Sequence, residues 1–457
     1  MTKVNSLADS EKKTSNFKES SGFTFIDLFA GIGGFRIALD NLGGRCLGFS
    51  EIDKHAIDTY IDNYKDTIND NLGDITKIEN LPEVDILTGG VPCQSWSVAG
   101  KMKGFDDERG KLWNDVIRLV EQSKPKLFIF ENVKGLMSEK NKESFDYILK
   151  SFEKKGYYVT ADILNSYDFG VPQLRERVFI VGFRNDFEQY FSEFNFPTGE
   201  KVHKNLAEYL DGVKQLEISK AKFSTDELFG GVIPYSRTAF QKADELNDFF
   251  TMCDTRNGHS TIHSWDLIET TDKQKEIMYA MMRNRRKKIY GPKDGNPLSR
   301  EDILSLTSSG HEKEIDELLN MGLIRKVGEK YDLSNSKNSS GINDIYRVYM
   351  PFSKIFSTLT ATGTRDVVAT EYIDTNLQPE EYRRQFVEKI IRQKNYRKIS
   401  VKEARRIQGF PDYFAPHENE KLAMKQFGNA VSPPVIVALV EKILETGIFK
   451  REAINHG

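Results

Sequence analysis

Cysteine is scarce in this chain: Cys46, Cys93 and Cys253 are the three present in 457 residues. Their number and spacing exclude a disulfide framework and a cysteine-built zinc site, and no metal is expected. A reducing compartment, the cytoplasm, is the natural setting. Long apolar runs are also missing, with nothing approaching the roughly 18–20 residues of a membrane span. The first 21 residues, "MTKVNSLADSEKKTSNFKESS", lack the apolar centre of a signal peptide and read as a polar, disordered tail. No sign of charge dominates, since 65 Lys and Arg face 68 Asp and Glu for a net −3. A nucleic-acid partner would therefore have to be met by local basic patches. There are no internal repeats. A charged fraction of 29% with 39% hydrophobic residues describes a soluble globular protein of two or three domains.

What is present is an alternation. "FTFIDLF" (23–29), "RCLGFSEID" (45–53), "VDILTGG" (84–90) and "KLFIFENV" (126–133) read as strands, and "ERVFIVGFR" (176–184) as a later one. Between them "GGFRIALDNLG" (33–43), "HAIDTYIDNY" (55–64) and "LWNDVIRLVEQ" (112–122) read as helices. Strands spaced by helices of this length predict βαβ units, hence an α/β fold with a parallel sheet covered on both faces. From about Pro197 to about Asn395 the chain turns polar and irregular. Compact apolar periodicity returns in "VKEARRIQGFPDYF" (401–414) and "QFGNAVSPPVIVALVEKIL" (426–444). The pattern predicts one catalytic domain (22–197 and 396–457) split by an insertion at 198–395.

The turn "DLFAGIGG" (27–34) follows a strand and opens a helix, an arrangement that lets backbone approach a ligand closely. Glu51, about 20 residues on at a strand end, can accept both hydroxyls of a ribose. Asp74, in "GDIT", can meet an adenine amino group. Together they predict an adenosine-containing cofactor, and NAD and S-adenosylmethionine fit equally. A tight strand–helix turn alone also explains such glycines.

Further along, "GGVPCQSWSVAG" places Cys93 in a glycine-flanked loop where a strand should end. "ENV" sets Glu131 at the end of the next strand. "QLRER" puts Gln173, Arg175 and Arg177 on alternate positions of an extended segment, hence on one face. With "FIDLFAGIGGFR", "SEID", "GDIT", "GFDDERGKLW", "YRKISVKEARRIQGFPD" and "QFGNAVSPPV", these pieces in this order resemble the DNA (cytosine-5) methyltransferase family of the bacterial restriction–modification type. The matching segments cover most of 22–184 and 396–435.

The resemblance implies a Rossmann-like S-adenosylmethionine-dependent domain with an inserted target recognition domain, acting on double-stranded DNA. It implies that the Cys93 thiolate adds to C6 of a flipped-out cytosine, making C5 nucleophilic. Glu131 would supply a proton or hydrogen bond at N3, Arg175 would hold O2, and Arg177 would orient Cys93 or Glu131. Phe29, Gly31 and Gly33 would line the methionine portion of the cofactor, Glu51 the ribose, and Ile52 and Asp74 the adenine, with Leu112 and Asn429 as further contacts. Ordinary core roles for Ile52 and Leu112, and an ion-pair role for Arg177, are the plain alternatives. Ser95, Gln173 and the threonine-leucine element Thr358 and Leu359 are implied on the DNA side. A tRNA methyltransferase of the same family and a non-catalytic DNA-binding protein are the competing readings. A cognate restriction endonuclease in the same system, a monomeric state, no membrane, and a bacterial cytoplasmic or nucleoid location complete the expectations.

Within the insertion, residues 271–288, 299–308 and 311–322 read as three helices, and 323–334 as a hairpin turning at Gly328. That order is a winged-helix pattern, a frequent DNA-binding module, with a bracing spacer as the alternative. The third helix carries Glu312, Glu314, Asp316 and Glu317, which phosphates would repel. The basic cluster Arg283, Arg285, Arg286, Lys287 and Lys288 is the expected phosphate contact, with Arg285, Arg286 and Lys288 foremost, and Arg325 and Lys326 second.

Overall fold

A computed structural model describes residues 22–92, 108–199, 204–213, 250–252, 268–293, 295–308, 310–334, 347–364, 366–374, 377 and 379–450. The expected tail and the Cys93 loop lie outside these residues. The chain divides into two compact units: residues 1–203, 358–363 and 400–457 form the first, and 204–357 with 364–399 the second. The insertion expected over 198–395 is thus interrupted, because the six residues Thr358–Gly363 belong to the first unit.

The first unit is built on a six-stranded sheet, β1 (Phe23–Leu28), β2 (Gly44–Ser50), β3 (Ile86–Gly90), β4 (Leu127–Val133), β5 (Tyr157–Asn165) and β6 (Glu176–Arg184), in the order β2-β1-β3-β4-β6-β5. β2, β1, β3 and β4 are parallel, while β6 runs antiparallel to both neighbours. The sheet is therefore mixed where the sequence suggested a parallel one. β5 and β6 are joined without a crossover helix, and such a link can connect only antiparallel neighbours.

The strands' period of two sorts their side chains into two cores. Phe25, Ile86, Ile129 and Val181 pack on one face with the helix Gly34–Asn41 and with Val435, Ile436, Leu439, Val440 and Ile443 of the helix Pro433–Glu445. Ile26, Leu87, Phe128 and Ile180 pack on the other with Trp113, Val116 and Val120 of the helix Glu108–Ser123 and with Ile148 and Phe152 of the helix Lys142–Lys154. The C-terminal segment thus finishes the first core. The span Glu420–Glu445 is apolar enough to cross a membrane by composition, but 61% of its apolar window is buried, and its two helices break at Ala430–Ser432.

The second unit holds a small sheet, β7 (Phe250–Met252), β10 (Arg347–Tyr349), β11 (Val367–Ala369) and β12 (Tyr396–Arg397), and a separate helical module. The module comprises the helices Asp272–Asn284, Arg300–Ser305 and Glu312–Asn320 and the antiparallel pair β8 (Ile324–Val327) and β9 (Lys330–Leu333). The hairpin turns at Gly328, whose φ of 60° a β-carbon would disfavour. Leu298 forms an isolated antiparallel bridge to Tyr331 beside the hairpin. Ile277, Met281, Ile303, Ile315, Leu318 and Leu333 form its core.

Asp27 near the end of β1 is fully buried, with Thr88 Oγ1 at 3.3 Å from its Oδ1. Desolvation pushes its carboxyl from 3.8 up to about 8. Below pH 4 this group is protonated whether or not the chain is folded. Between there and pH 8 only the unfolded chain ionises, so the fold loses stability as pH rises through that window. Asp27→Asn keeps the Thr88 partner and removes the titration. It should leave chemical-denaturation stability at pH 4 nearly unchanged and raise it at pH 8–9, on the order of several kcal/mol. Equal effects at both pH values would show that Asp27 is ionised in the fold.

Candidate active site

The parallel strands of the first unit deliver their last residues to one edge of the sheet, the edge where open α/β sheets bind ligands. β1 runs into the glycine turn, β2 into Glu51, and β3 into Val91–Pro92, while β4 carries Glu131 two residues before its end. In the turn, Phe29, Gly31 and Gly33 all have positive φ, at 51°, 56° and 83°. A β-carbon on Gly33 would lie 2.4 Å from the Tyr64 ring, so only glycine fits there.

Glu51 ties this turn to β2. Its Oε2 accepts from Gly31 N at 2.8 Å, and its Oε1 from Ile52 N at 2.7 Å and Asp53 N at 2.8 Å. Four lone-pair positions on a carboxylate leave room for a further donor. Asn71, which sequence reasoning passed over, fixes Glu51 from behind: its Oδ1 accepts from Glu51 N and its Nδ2 donates to Glu51 O. Ile52 is 74% exposed, a large apolar side chain that no core claims. The Asp74 carboxylate accepts from Thr76 N and Oγ1, which hold it below the usual carboxylate range. Asn429 ends the helix Glu420–Asn429 and is exposed, whereas Leu112 packs partly buried against the second core.

Glu131 and Arg177 meet by strand register. Val133 sits opposite Arg177, so Glu131, two residues back, shares its face. Arg177 Nε lies 2.9 Å from Glu131 Oε1, with side-chain exposures of 20% and 11%. Burial raises the Glu131 carboxyl above its ordinary value, against the pull of the Arg177 and Arg175 charges. The chain leading to Cys93 is fixed to the same place. Val91 N donates to Glu131 O at 3.1 Å, and Asn132 Nδ2 donates to Val91 O at 3.3 Å. Cys93 and Ser95 themselves lie outside the described residues.

Arg175, expected at the base, is held by backbone. It is 2% exposed, and three of its N–H donors are taken by backbone: Nη1 donates to Leu359 O at 3.0 Å, and Nη2 to Gly428 O at 3.2 Å and Ala430 O at 2.9 Å. Burial and the Arg177 charge lower its guanidinium to about 9, still protonated at neutral pH. Gln173, expected against DNA, is fully buried; its Oε1 accepts from Leu359 N and its Nε2 donates to Gln408 Oε1. Thr358 Oγ1 donates to Leu174 O, and Leu359 is 2% exposed. These residues brace the site where contact with a substrate was expected. Gln408, which donates to Ala430 O at 2.7 Å, joins the brace, as does Gly428, where a β-carbon would fall 2.1 Å from Thr360 O. Both lie in segments that the sequence singled out, but neither was given a role.

In the second unit Arg285 is corrected too. Its guanidinium is 5% exposed and paired with Asp332 at 3.0 Å, so it holds the hairpin to the helices and does not face outward. Arg286 and Lys288 are exposed.

A family model described as "C-5 cytosine-specific DNA methylase" matches residues 23–445. The chain is 44% identical over 436 residues to the Type II methyltransferase M.HgiBI of Herpetosiphon aurantiacus, spanning 94% of this chain and 98% of that protein. It is 33% identical over 445 residues to the Type II methyltransferase M.BanI of Aneurinibacillus aneurinilyticus, spanning 93% and 96%. Among solved structures it resembles the Entamoeba histolytica methyltransferase EhMeth, with a TM-score of 0.51 at 16% identity over 93% of this chain and 98% of that one. The S. pombe Dnmt2 methyltransferase gives 0.50 at 16% identity, over 94% and 100%. At these identities the structural likeness speaks for the shared α/β fold.

The two arginines should separate in experiment. Arg175→Lys leaves buried carbonyls short of donors and should cost on the order of 2–4 kcal/mol in urea unfolding. Arg177→Lys should stay within about 1 kcal/mol of the parent, as a half-open pair does, yet lose most methyl transfer. Unchanged stability in Arg175→Lys would return that residue to the substrate.

Proposed function

Because the chain belongs to the C-5 cytosine-specific DNA methylase family, we propose that it transfers a methyl group from S-adenosylmethionine to C5 of a cytosine flipped out of duplex DNA, as the methyltransferase of a type II restriction–modification system. The observation that carries this reading is the Glu131–Arg177 pair, its carboxylate buried, fixed beside Val91 two residues before Cys93.

The cofactor supplies an electrophilic methyl group on a sulfonium. The residues at the sheet edge suit it: the glycine turn Phe29–Gly33 admits the amino-acid portion, Glu51 retains acceptor capacity for ribose hydroxyls, Ile52 offers an uncovered apolar face for adenine, and Asp74 and Asn429 stand exposed or half-exposed. Cytosine C5 is a weak nucleophile. Addition of the Cys93 thiolate to C6 pushes electrons into the ring, and Glu131, whose carboxyl burial shifts toward the neutral form, gives N3 the proton that this requires. Arg177, on the open side of Glu131, takes the role at O2 that the sequence had given to Arg175. An ordinary thiol is only a few per cent ionised at pH 7, so the arginine charge also favours the thiolate. Once C5 is methylated, loss of its proton to water and elimination of Cys93 regenerate the aromatic ring and the enzyme. A base inside the helix leaves no room for attack at C6, hence the flipped base. The bacterial Type II relatives support a cognate endonuclease and a place in the bacterial cytoplasm or nucleoid.

Transfer of tritiated methyl groups to duplex DNA should be readily measured, and absent with tRNA. Cys93→Ala should abolish it while retaining DNA binding, and a duplex containing 5-fluorocytosine should trap a covalent complex, since fluorine does not leave as a proton does. Methylation by Cys93→Ala would rule the covalent route out. Ile52→Ala, at an exposed position, should leave the melting temperature unchanged yet weaken S-adenosylmethionine binding by about 1–2 kcal/mol in calorimetry. Unaltered affinity would remove Ile52 from the adenine site.

A further inference from the structure

We propose that the loop 286–293 in the helical module of the second unit is a preformed grip on the backbone of duplex DNA, separate from the residues that act on the base. This rests on the reading of the chain as a DNA methyltransferase. Three observations, all internal to the module, support it.

The loop is held in one shape. Asn296, 3% exposed, donates from Nδ2 to Arg285 O at 3.1 Å, Gly291 O at 3.1 Å and Lys293 O at 2.8 Å, and its Oδ1 accepts from Lys293 N at 3.1 Å. Asn296 N donates to Arg285 O as well, at 2.7 Å. Gly291, at φ 149°, leaves the space that the Asn296 amide fills, since a β-carbon there would meet Oδ1 at 2.3 Å. A binding loop held this way loses little entropy when it meets its ligand.

The loop's three lysines, Lys287, Lys288 and Lys293, have no ion-pair partner among the described residues. They and Arg286 are all exposed, and no acidic residue interrupts 286–293. The module's acidic helix, in contrast, is answered from within. Lys273 faces Glu314 at 3.8 Å, Lys313 faces Glu317 at 3.0 Å, Arg300 pairs with Asp316, and Gln274 donates to Glu317 at 2.9 Å. The positive end of the module is therefore the loop, and the third helix offers phosphates nothing.

An apolar side chain stands among those cations. Ile289 is 80% exposed, next to Lys288 in the single turn Lys288–Tyr290. Lysines that meet phosphates, with an aliphatic side chain between them to lie on deoxyribose, match the surface of a duplex, which alternates the same two chemistries. An acidic protein would satisfy the lysines but gives no reason for the isoleucine.

The test uses the full chain and a fluorescein-labelled 30-base-pair duplex of arbitrary sequence, because backbone contacts do not depend on sequence. Binding is measured by anisotropy from 50 to 200 mM salt. The triple substitution Lys287→Gln, Lys288→Gln, Lys293→Gln should flatten the log–log salt dependence by about 0.9 per contact, roughly 2.7 in all. A control triple on the outer face of the helix Lys142–Lys154, at the exposed positions Lys142→Gln, Lys150→Gln, Lys154→Gln, should leave the slope near the parent value. Ile289→Ser should weaken binding several-fold with the slope unchanged. A slope that stays put in the loop triple overturns the proposal, and the loop is then a surface for an acidic protein. An equal drop in the control overturns it too, because net charge alone would then account for the effect. Wild-type methyl transfer to duplex DNA separates the two readings: if it fails while the loop triple still flattens the slope, the methyltransferase reading falls and the DNA grip stands.

Discussion

The catalytic unit depends on one buried guanidinium. Arg175 donates to the carbonyls of Leu359, Gly428 and Ala430, which reach it from residues 184 to 255 positions away in the chain. Gln173 and Gln408 extend the knot to Leu359 N and Ala430 O. Carbonyls gathered in a buried place need donors, and each one left without costs about 1–3 kcal/mol. A single planar cation with several donors meets that need where an ammonium would fall short. The knot thereby closes the first unit around three separate stretches of chain. One of them, Thr358–Gly363, is reached from Ser357 and left toward Thr364, both in the second unit.

From this brace follows the division of labour in "QLRER". Arg175 faces inward and holds backbone; Arg177, two residues on and opposite Val133, faces Glu131 at the sheet edge. The same edge anchors Val91, two residues before Cys93, through Glu131 O and Asn132. A carboxyl buried this deeply prefers its neutral form, and an arginine beside it limits that preference. The competition leaves Glu131 able to release a proton to a ring nitrogen and recover it, which a fully exposed glutamate, ionised at neutral pH, does poorly.

Much of this was legible in the sequence. Short strands rich in Phe and Ile, each ending at a turn or an acidic residue, located β1 to β4 and the cofactor edge, because burial on both faces imposes its own composition. The sequence also located the three helices and the hairpin around Gly328. It missed β5 and the reversal of β6, since direction in a sheet is set by connections that composition does not record. It also misjudged polar residues in motifs. Gln173, Arg175 and Arg285 look like surface chemistry when read as letters, but each turned out to be buried and bonded to distant backbone or to Asp332. Asn71, Gln408 and Gly428 carried no local signal, because their partners are tertiary.

Burial shifts Glu131 toward its protonated form while Arg177 keeps it able to give the proton up. Single-turnover methyl transfer as a function of pH, in the wild-type chain and in Glu131→Gln, tests this balance most directly. The wild-type rate should fall as alkali ionises Glu131, with the fall beginning above the ordinary carboxylate range. The glutamine variant should be slower throughout and lack that limb. A wild-type profile with no alkaline fall, or a fall of the same midpoint in Glu131→Gln, would contradict it.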